Sequence, residues 1–521
     1  MIRKIQLIQL IQLIMIIILF LCTAGYTQGG ADNDGPIAPI EVELADEAAI
    51  VIGAQRITLA QAIKIAIDQN QDILMGKYDV AMTDSDSERY KTKYSPFFNA
   101  EAGLGTYKYP EMMQHSTGKS KNSADVSASI AKMFSSGTTV AAGVNKSYSD
   151  TRWNDPTLPE KAYNPVVFVQ VQQELLKNAF GYTDRREQKL LNNAALMQRD
   201  AIIYNLSLVV VGVIVDYWNV VVNKNQMDNA RLMLQETRRV RNIISGNVRL
   251  GLAERFELNL WNSLVASSEA MVANSEQQYR DSLRNFLRVV NLDEDITMEG
   301  KAILSSALPE INEEEALKIA YESRVDYRNA LRAMENSRLQ LEIARNNALP
   351  SVTGEITVSS MDYNSQMGES YSNTVTGENP SLEARVRVTY PLDNRDQKIS
   401  ERNARWGVEQ SRHEVDKYKR VVKDDVVSKI EKIRTNHHLY QKAKVARIEA
   451  ETYYRSMLVS LRRGRFTAAA ARDALDSLIS SREQELAMLV YYNASLLEFE
   501  VSKNQLFETY EIDVESYIPK N

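Results

Sequence analysis

"LEIARNNALPSVTGEITVSS" (Leu341–Ser360) changes period in the middle. Up to Leu349 it has the pattern of a helix end; from Val352 apolar and polar residues alternate, as on a strand with two unlike faces. Pro350 marks the change, because proline disfavours helix at the residue before it and has no N–H for a helical ladder. "TKYSPFFNAEAGLGTYKY" does the same around Pro96. A long helix running straight into a strand, twice in one chain, needs an architectural reason.

The two junctions belong to an internal duplication. "ITLAQAIKIAIDQNQD" from Ile57 resembles "INEEEALKIAYESRVD" from Ile311, and the register holds without gaps. Ala62 meets Ala316, Lys64-Ile65-Ala66 meets Lys318-Ile319-Ala320, and Asp72 meets Asp326. Glu88 then meets Glu342, Pro96 meets Pro350 and Glu101 meets Glu355. Downstream, "RREQKLLNNAA" from Arg185 echoes "NRDQKISERNA" from Asn394. "RLGLAERFELNLWNSLVASSEA" from Arg249 pairs with "RRGRFTAAAARDALDSLISSRE" from Arg462, placing Gly251 on Gly464. Each half is expected to run helix, strand, loop, strand, very long helix, glycine turn, long helix.

In the second half Val415, Tyr418, Val422, Val426, Ile430 and Ile433 recur at steps of three and four, one apolar stripe on a charged helix. From Arg395 to Arg463 there is no proline and one glycine, Gly407. At 1.5 Å per residue such a helix is on the order of 100 Å long. No single globular core covers that length, so other helices must cover the stripe in a coiled-coil arrangement.

In "SLEARVRVTY", Leu382, Ala384, Val386, Val388 and Tyr390 share one face and Glu383, Arg385, Arg387 and Thr389 the other. "SVTGEITVSS" sets Ile356 and Val358 opposite Thr353, Glu355 and Thr357, and "ADVSASIAK" sets Ala124, Val126, Ala128 and Ile130 opposite Asp125, Ser127 and Ser129. That alternation suits a barrel wall with lipid on one side and water on the other, and equally a half-buried soluble sheet. Tyr107, Tyr109, Tyr148, Trp153 and Tyr163 cluster towards the loop ends, where an interfacial girdle would lie. A few strands cannot close a barrel, and open edges are not tolerated in lipid, so several identical chains would have to share one. Pro96 and Pro350 are then the joints between a β-channel and a helical tube continuing it.

The chain has 521 residues, with 62 basic against 68 acidic side chains and a net charge of −6, which gives no electrostatic case for nucleic acid. "MIRKIQLIQLIQLIMIIILFLCTAGYTQGG" has the basic start, apolar run and small-residue end of a secretory signal peptide, with cleavage expected after Ala24; a membrane anchor, or lipidation at Cys22, are the alternatives. No nucleophile–base pair, phosphate-cradling loop or catalytic carboxylate pair stands out, so an enzyme is not expected and no cofactor is implied. His437-His438, adjacent on a helix, point apart, and Met112-Met113 with His115 fall in a loop; no metal site is expected.

At this point the chain resembles the TolC-like outer-membrane efflux proteins, the outer membrane factors. The resemblance spans Ile57 to about Leu506 and rests on the paired A-[IL]-K-I-A helix starts, the joints at Pro96 and Pro350, and the turns at Gly251 and Gly464. It implies a mainly α fold with membrane β-structure: a homotrimer whose twelve-stranded barrel, four strands per protomer, is continued by a long periplasmic α-helical barrel. It implies the outer membrane with a large periplasmic portion as location, and a passive exit duct for a tripartite efflux pump or type I secretion system as function. Such a duct would open at its periplasmic end, with outer-membrane lipid, a periplasmic adaptor and an inner-membrane RND or ABC transporter as partners. The rivals are a periplasmic adaptor and a poreless coiled-coil scaffold or surface protein.

The resemblance also places residues. The helical tips Leu250-Gly251-Leu252 and Arg463-Gly464-Arg465 would dock the adaptor, although the second lacks the apolar residue before glycine usual in the family. Acidic residues just past a tip would ring the mouth: Asp473 and Asp476, three apart and so on one helical face, and Glu257 in the first half. The expected division is a signal peptide (1–24), a flexible lead-in (25–56), a first repeat (57–300), a second repeat (301–508) and a C-terminal tail (509–521). One feature breaks the symmetry: "SADVSASIAKMFSSGTTVAAGVNKSYSD" forms an extra hairpin in the first half, which would either widen the barrel or lie outside it.

Overall fold

The computed structural model describes residues 49–519, apart from 53–54, 156, 252, 293–295, 300–303 and 463–467. The expected signal segment with Cys22, and the tip residues Leu252, Arg463, Gly464 and Arg465, lie outside the described residues. The first repeat begins with strands β1 (Ala49–Ile52) and β2 (Gln55–Ile57), then helices α1 (Leu59–Gln69), α2 (Gln71–Ala81) and α3 (Ser85–Lys91). Strands β3 (Phe97–Lys108), β4 (Ser120–Met133), β5 (Thr138–Arg152) and β6 (Lys161–Glu174) follow, and then helices α4 (Tyr182–Arg249) and α5 (Arg255–Val290). Strand β7 (Ile296–Glu299) closes the first repeat, and the second comprises α6 (Glu313–Ser323), α7 (Val325–Asn347), β8 (Ser351–Met361), α8 (Met367–Thr376), β9 (Pro380–Thr389), α9 (Arg395–Arg462) and α10 (Ala468–Lys503).

The duplication is visible in element lengths. Helices α4 and α9 each have 68 residues, and α5 and α10 each have 36. The helical run before each proline is broken rather than continuous, and the break recurs at equivalent places. Asn70 and Arg324 adopt nearly the same extended backbone, with φ −66° and −64° and ψ 127° and 124°. Asn70 ends one helix and caps the next, its Oδ1 accepting from the Asp72 and Ile73 amides. Arg324 holds the second break through ion pairs to Asp326 at 2.7 Å and Asp425 at 2.6 Å.

Side by side, the helices form one curved row. In the half nearest the large sheet, α1–α3 pack on α4, α4 on α7, and α7 on α9; in the far half the order is α5, α4, α10, α9. The stripe read on α9 is the seam: Val422, Val426, Ile430 and Ile433 are buried with Ala316 and Ala320 of α6 and Tyr492 and Phe499 of α10. The middle of α4 is apolar enough to cross a membrane by composition, yet Val213, Tyr217, Val220 and Val221 are buried against α1 and α5. Its apolar character serves helix packing.

Two segments expected as loose ends are built in. Residues 49–52 of the lead-in pair antiparallel with both β2 and β7, which ties the start of the first repeat to its end. The end of the second repeat (Leu506, Phe507) and the tail after it (Tyr510, Ile512, Tyr517) pack on Ile63, Ile67, Ile73 and Leu206. Apolar residues at these spacings were read as a tail because no repeat partner announced them.

The extra hairpin is part of the main sheet. Its order is β3-β4-β5-β6-β8-β9, antiparallel throughout, so each chain supplies six strands where the resemblance implied four. The β4–β5 turn is seated on the β6–α4 linker: Gln173 Nε2 donates to the Ser136 carbonyl at 3.1 Å, and Gly137, with φ +70°, lies beside Gly181. Gly181 has φ +71°, and a Cβ there would overlap the Ser135 carbonyl oxygen. Gly181→Ala should therefore cost about 1–3 kcal/mol, from backbone strain and overpacking together. Gly212→Ala, mid-helix with open space around it, should gain up to about 1 kcal/mol. Thermal unfolding followed by near-ultraviolet circular dichroism should move the two midpoints in opposite directions.

Candidate functional site

The large sheet has two unlike faces across its whole width. One cross-strand row joins Phe98, Ile130, Ala142, Val169, Val358 and Leu382. One residue along, the row is Asn99, Ser129, Gly143, Phe168, Ser359 and Ser381, and the next of that face joins Glu101, Ser127, Asn145, Val166 and Met361. Period-2 geometry thus gathers apolar side chains on one side and mainly polar ones on the other, where Phe168, Val166 and Met361 are the exceptions among these rows. Many of the apolar ones are exposed, including Leu104, Val126, Ile130, Val358 and Leu382. The charges of β9 lie on the polar face, where Arg385 pairs with Glu355 at 3.6 Å and with Glu383.

Aromatics mark the loop end. Tyr148 and Tyr163 sit side by side in the apolar row of Leu104 and Ala124, with ring centroids 5.0 Å apart. Tyr107 and Tyr109 stack at 6.4 Å, and Trp153 donates Nε1 to the Pro159 carbonyl at 3.0 Å. Helix α8 covers the loop end of β6: Ser370 and Thr374 are buried and reach the carbonyls of Tyr163 and Pro165.

At the opposite end both proline joints are fastened to the start of α4. Asn346, just before Pro350, accepts from the Asn178 amide at 2.8 Å and the Thr183 hydroxyl at 2.9 Å. Glu342 pairs with Arg186. On the other side Lys93, just before Pro96, pairs with buried Asp184 at 2.7 Å, and the Tyr90 hydroxyl donates to Glu187 at 2.7 Å. Pro96 and Pro350 accordingly enter the sheet from helices held at fixed positions on one neighbour.

The far end is the tip. Leu250 precedes Gly251, whose φ of +70° makes the turn, and both Leu250 (69%) and Phe256 (67%) are exposed. Glu257, in the first turn of α5, is half-buried. Behind the turn Trp261 is buried among Val240, Ile243 and Ile244 of α4, Tyr454, Leu458 and Leu461 of α9, and Leu475 and Leu478 of α10.

The two aspartates differ in environment. Asp473 is exposed. Asp476 is turned back towards buried Arg472, its carboxylate 3.1 Å from Nε. Burial pushes its pKa up more than Arg472 pulls it down, and Asp473 adds to the rise. Spacing alone could not separate them, because a helical face says nothing of which neighbour a side chain bends towards.

A polar contact that the sequence reading missed crosses between the repeats. Tyr454 of α9 donates its hydroxyl to Glu236 of α4 at 2.8 Å, and both residues are buried. Arg239 approaches the same carboxylate at 3.5 Å. Burial and the Glu236 charge push the Tyr454 phenol well above its ordinary range, so it stays a donor throughout the neutral range. No local motif signals the pair, because its partners are 218 residues apart. His437 packs on Tyr492 at 5.1 Å while His438 is exposed, and Met112, Met113 and His115 are exposed in the β3–β4 loop. Among the described residues no three His, Cys, Asp or Glu side chains converge as a metal would require.

No family model matches the sequence, and no curated protein matches it. Solved structures do. The outer-membrane channel OprN superposes with a TM-score of 0.63 at 12% identity, over 85% of this chain and 89% of that one. The open state of the Neisseria gonorrhoeae MtrE outer membrane channel gives 0.62 at 16% identity, over 92% and 97%. The Campylobacter jejuni CmeC outer membrane channel gives 0.60 at 10% identity, over 94% and 100%. The chain has the fold of these outer-membrane channels along nearly its whole described length.

Tyr454→Phe should leave Glu236 buried without its hydroxyl donor and cost about 1–3 kcal/mol locally. Amide hydrogen exchange at the tip ends of α4 and α9 should then speed up about tenfold, while amides beside the large sheet keep the wild-type rate.

Proposed function

We propose that the chain is an outer membrane factor: a homotrimeric duct whose shared β-barrel crosses the outer membrane and whose helices continue the tube through the periplasm. The carrying observation is the six-stranded sheet, apolar on one face and polar on the other, that ends at β3 and β9 with one side of each unpaired among the described residues. In lipid such edges must pair with another chain.

The helices repeat the pattern. At the α1–α3 end of the helical row, α2 and its C-cap expose Met75, Tyr78 and Met82. On the β9 side, Leu392, Ile399 and Trp406 are exposed at intervals of seven residues. Two unlike apolar edges on opposite sides of one protomer suit head-to-tail contacts that close into a ring.

As a duct the protein is passive: it would take cargo from an inner-membrane RND or ABC transporter through a periplasmic adaptor, in efflux or in type I secretion. The exposed Leu250 and Phe256 at the α4–α5 tip supply an apolar docking surface for that adaptor. Opening at this end would separate α9 from α4, which the Tyr454–Glu236 contact now joins. Two complete helix–strand repeats favour this reading over an adaptor built on a single hairpin, and the exposed apolar sheet face favours it over a soluble scaffold.

Detergent-extracted protein should have the mass of three chains and conduct ions in planar bilayers. A monomer released from membranes by salt alone would overturn the duct. Asp473→Ala should weaken the cation preference of the open channel, because its carboxylate is solvent-facing. Asp476→Ala should change selectivity less, since its charge is already partnered by Arg472.

A further inference from the structure

We infer that the β4–β5 hairpin is a full section of the membrane wall, so that the assembled barrel has eighteen strands, six from each of three chains. The inference rests on the duct reading above and fixes the width of its membrane section.

The first reason is that the hairpin carries both faces in register with its neighbours. On its apolar side Val126, Ile130 and Val144 are exposed and continue the rows of β3 and β6. On its polar side Ser127 and Asn145 are direct cross-strand partners that continue the row of Glu101. A hairpin folded over a loop, or into the lumen, has no need of an apolar outer face matched to the wall on both sides.

The second reason is the two charges that interrupt the apolar face. Lys132 and Lys146 bracket Val140–Val144 on the hairpin. Lys132 lies over the Phe134 ring at the turn, and Lys146 over the Tyr371 ring of α8 at the loop end, each 5.3 Å from the ring centroid. A lysine at each end, its stem along apolar surface and its ammonium turned to an aromatic rim, is the arrangement of snorkelling residues at two membrane interfaces.

The third reason is circumference. Each protomer presents four helices abreast. At 8–10 Å between axes they occupy roughly 32–40 Å of the tube wall. Six strands about 4.8 Å apart, tilted by about 40°, occupy roughly 38 Å, whereas four would occupy only about 25 Å. The hairpin lets the sheet match the helical row that feeds it. Eighteen strands give a backbone radius of roughly 18 Å, against about 12 Å for twelve. An α-helix with side chains is about 10–12 Å across, so the wider barrel would pass a helical hairpin as well as small molecules.

Single cysteines placed in the full chain with Cys22→Ser, reconstituted in lipid, test this. Val126→Cys and Val144→Cys should carry fluorophores quenched by brominated lipid tails. Ser127→Cys and Asn145→Cys should react with a charged, membrane-impermeant thiol reagent at least tenfold faster than the valine positions. Val169→Cys and Thr357→Cys, outside the hairpin, serve as controls for the same two faces. If the controls behave as a membrane wall while all four hairpin positions react alike and escape quenching, the eighteen-stranded barrel is wrong and the duct stands. If Val169→Cys also escapes quenching, the duct reading itself fails. Native mass spectrometry must give three chains; two would make a twelve-stranded barrel and overturn the count.

Discussion

An extended backbone must pair its N–H and C=O groups, and inside a bilayer, where the duct reading places this sheet, no water can do so. The sheet satisfies its backbone from β3 to β9 and stops with one side of each edge strand open. A soluble protein would cover such edges with helices, bulges or charges. Here one side of each edge strand has no partner among the described residues. Apolar rows on α2 and at the start of α9 are exposed as well. In the duct reading these two open margins are where neighbouring copies complete the sheet.

The duplication supplies the rest of the geometry. Matching lengths of 68 and 36 residues let the far parts of α4, α5, α9 and α10 share one apolar cluster around Trp261. Repeats of unequal length would leave one hairpin overhanging, its apolar stripe in water. The asymmetry that remains is confined to the sheet, where an antiparallel hairpin can be inserted without changing the direction of any later strand. Its turn needs only a compatible seat, which the left-handed backbone at Asn178, Phe180 and Gly181 provides.

Much of this was legible in the sequence because it depends on period. The prolines fix the joints, the stripe from Val422 to Ile433 fixes the buried side of α9, and alternation in Ala124–Ile130 fixes the faces of β4. What escaped depends on partners distant in the chain. The breaks at Asn70 and Arg324 follow from a cap and from ion pairs, and neither disturbs the apolar period around it. The chain end docks through Leu506, Phe507 and Tyr517 on Ile63, Ile67 and Ile73, more than four hundred positions earlier. Asp473 and Asp476 look equivalent by spacing and are separated only by Arg472.

The polar face also bears on where selection takes place. Conduction requires that cargo bind weakly enough to leave. On β4 and β5 the rows carrying Ser127, Ser129, Gly143 and Asn145 offer small side chains, with Phe168 and Val166 beside them on β6. The charges of β8 and β9 are partly spent on one another, Arg385 lying between Glu355 and Glu383. In the duct reading such a wall can neither grip a ligand nor impose a strong field on it. Discrimination then falls to the tip, where Asp473 faces solvent, Leu250 and Phe256 are uncovered, and a buried hydroxyl–carboxylate contact ties two long helices together. A wider barrel sharpens that division, because widening the exit loosens nothing at the entrance.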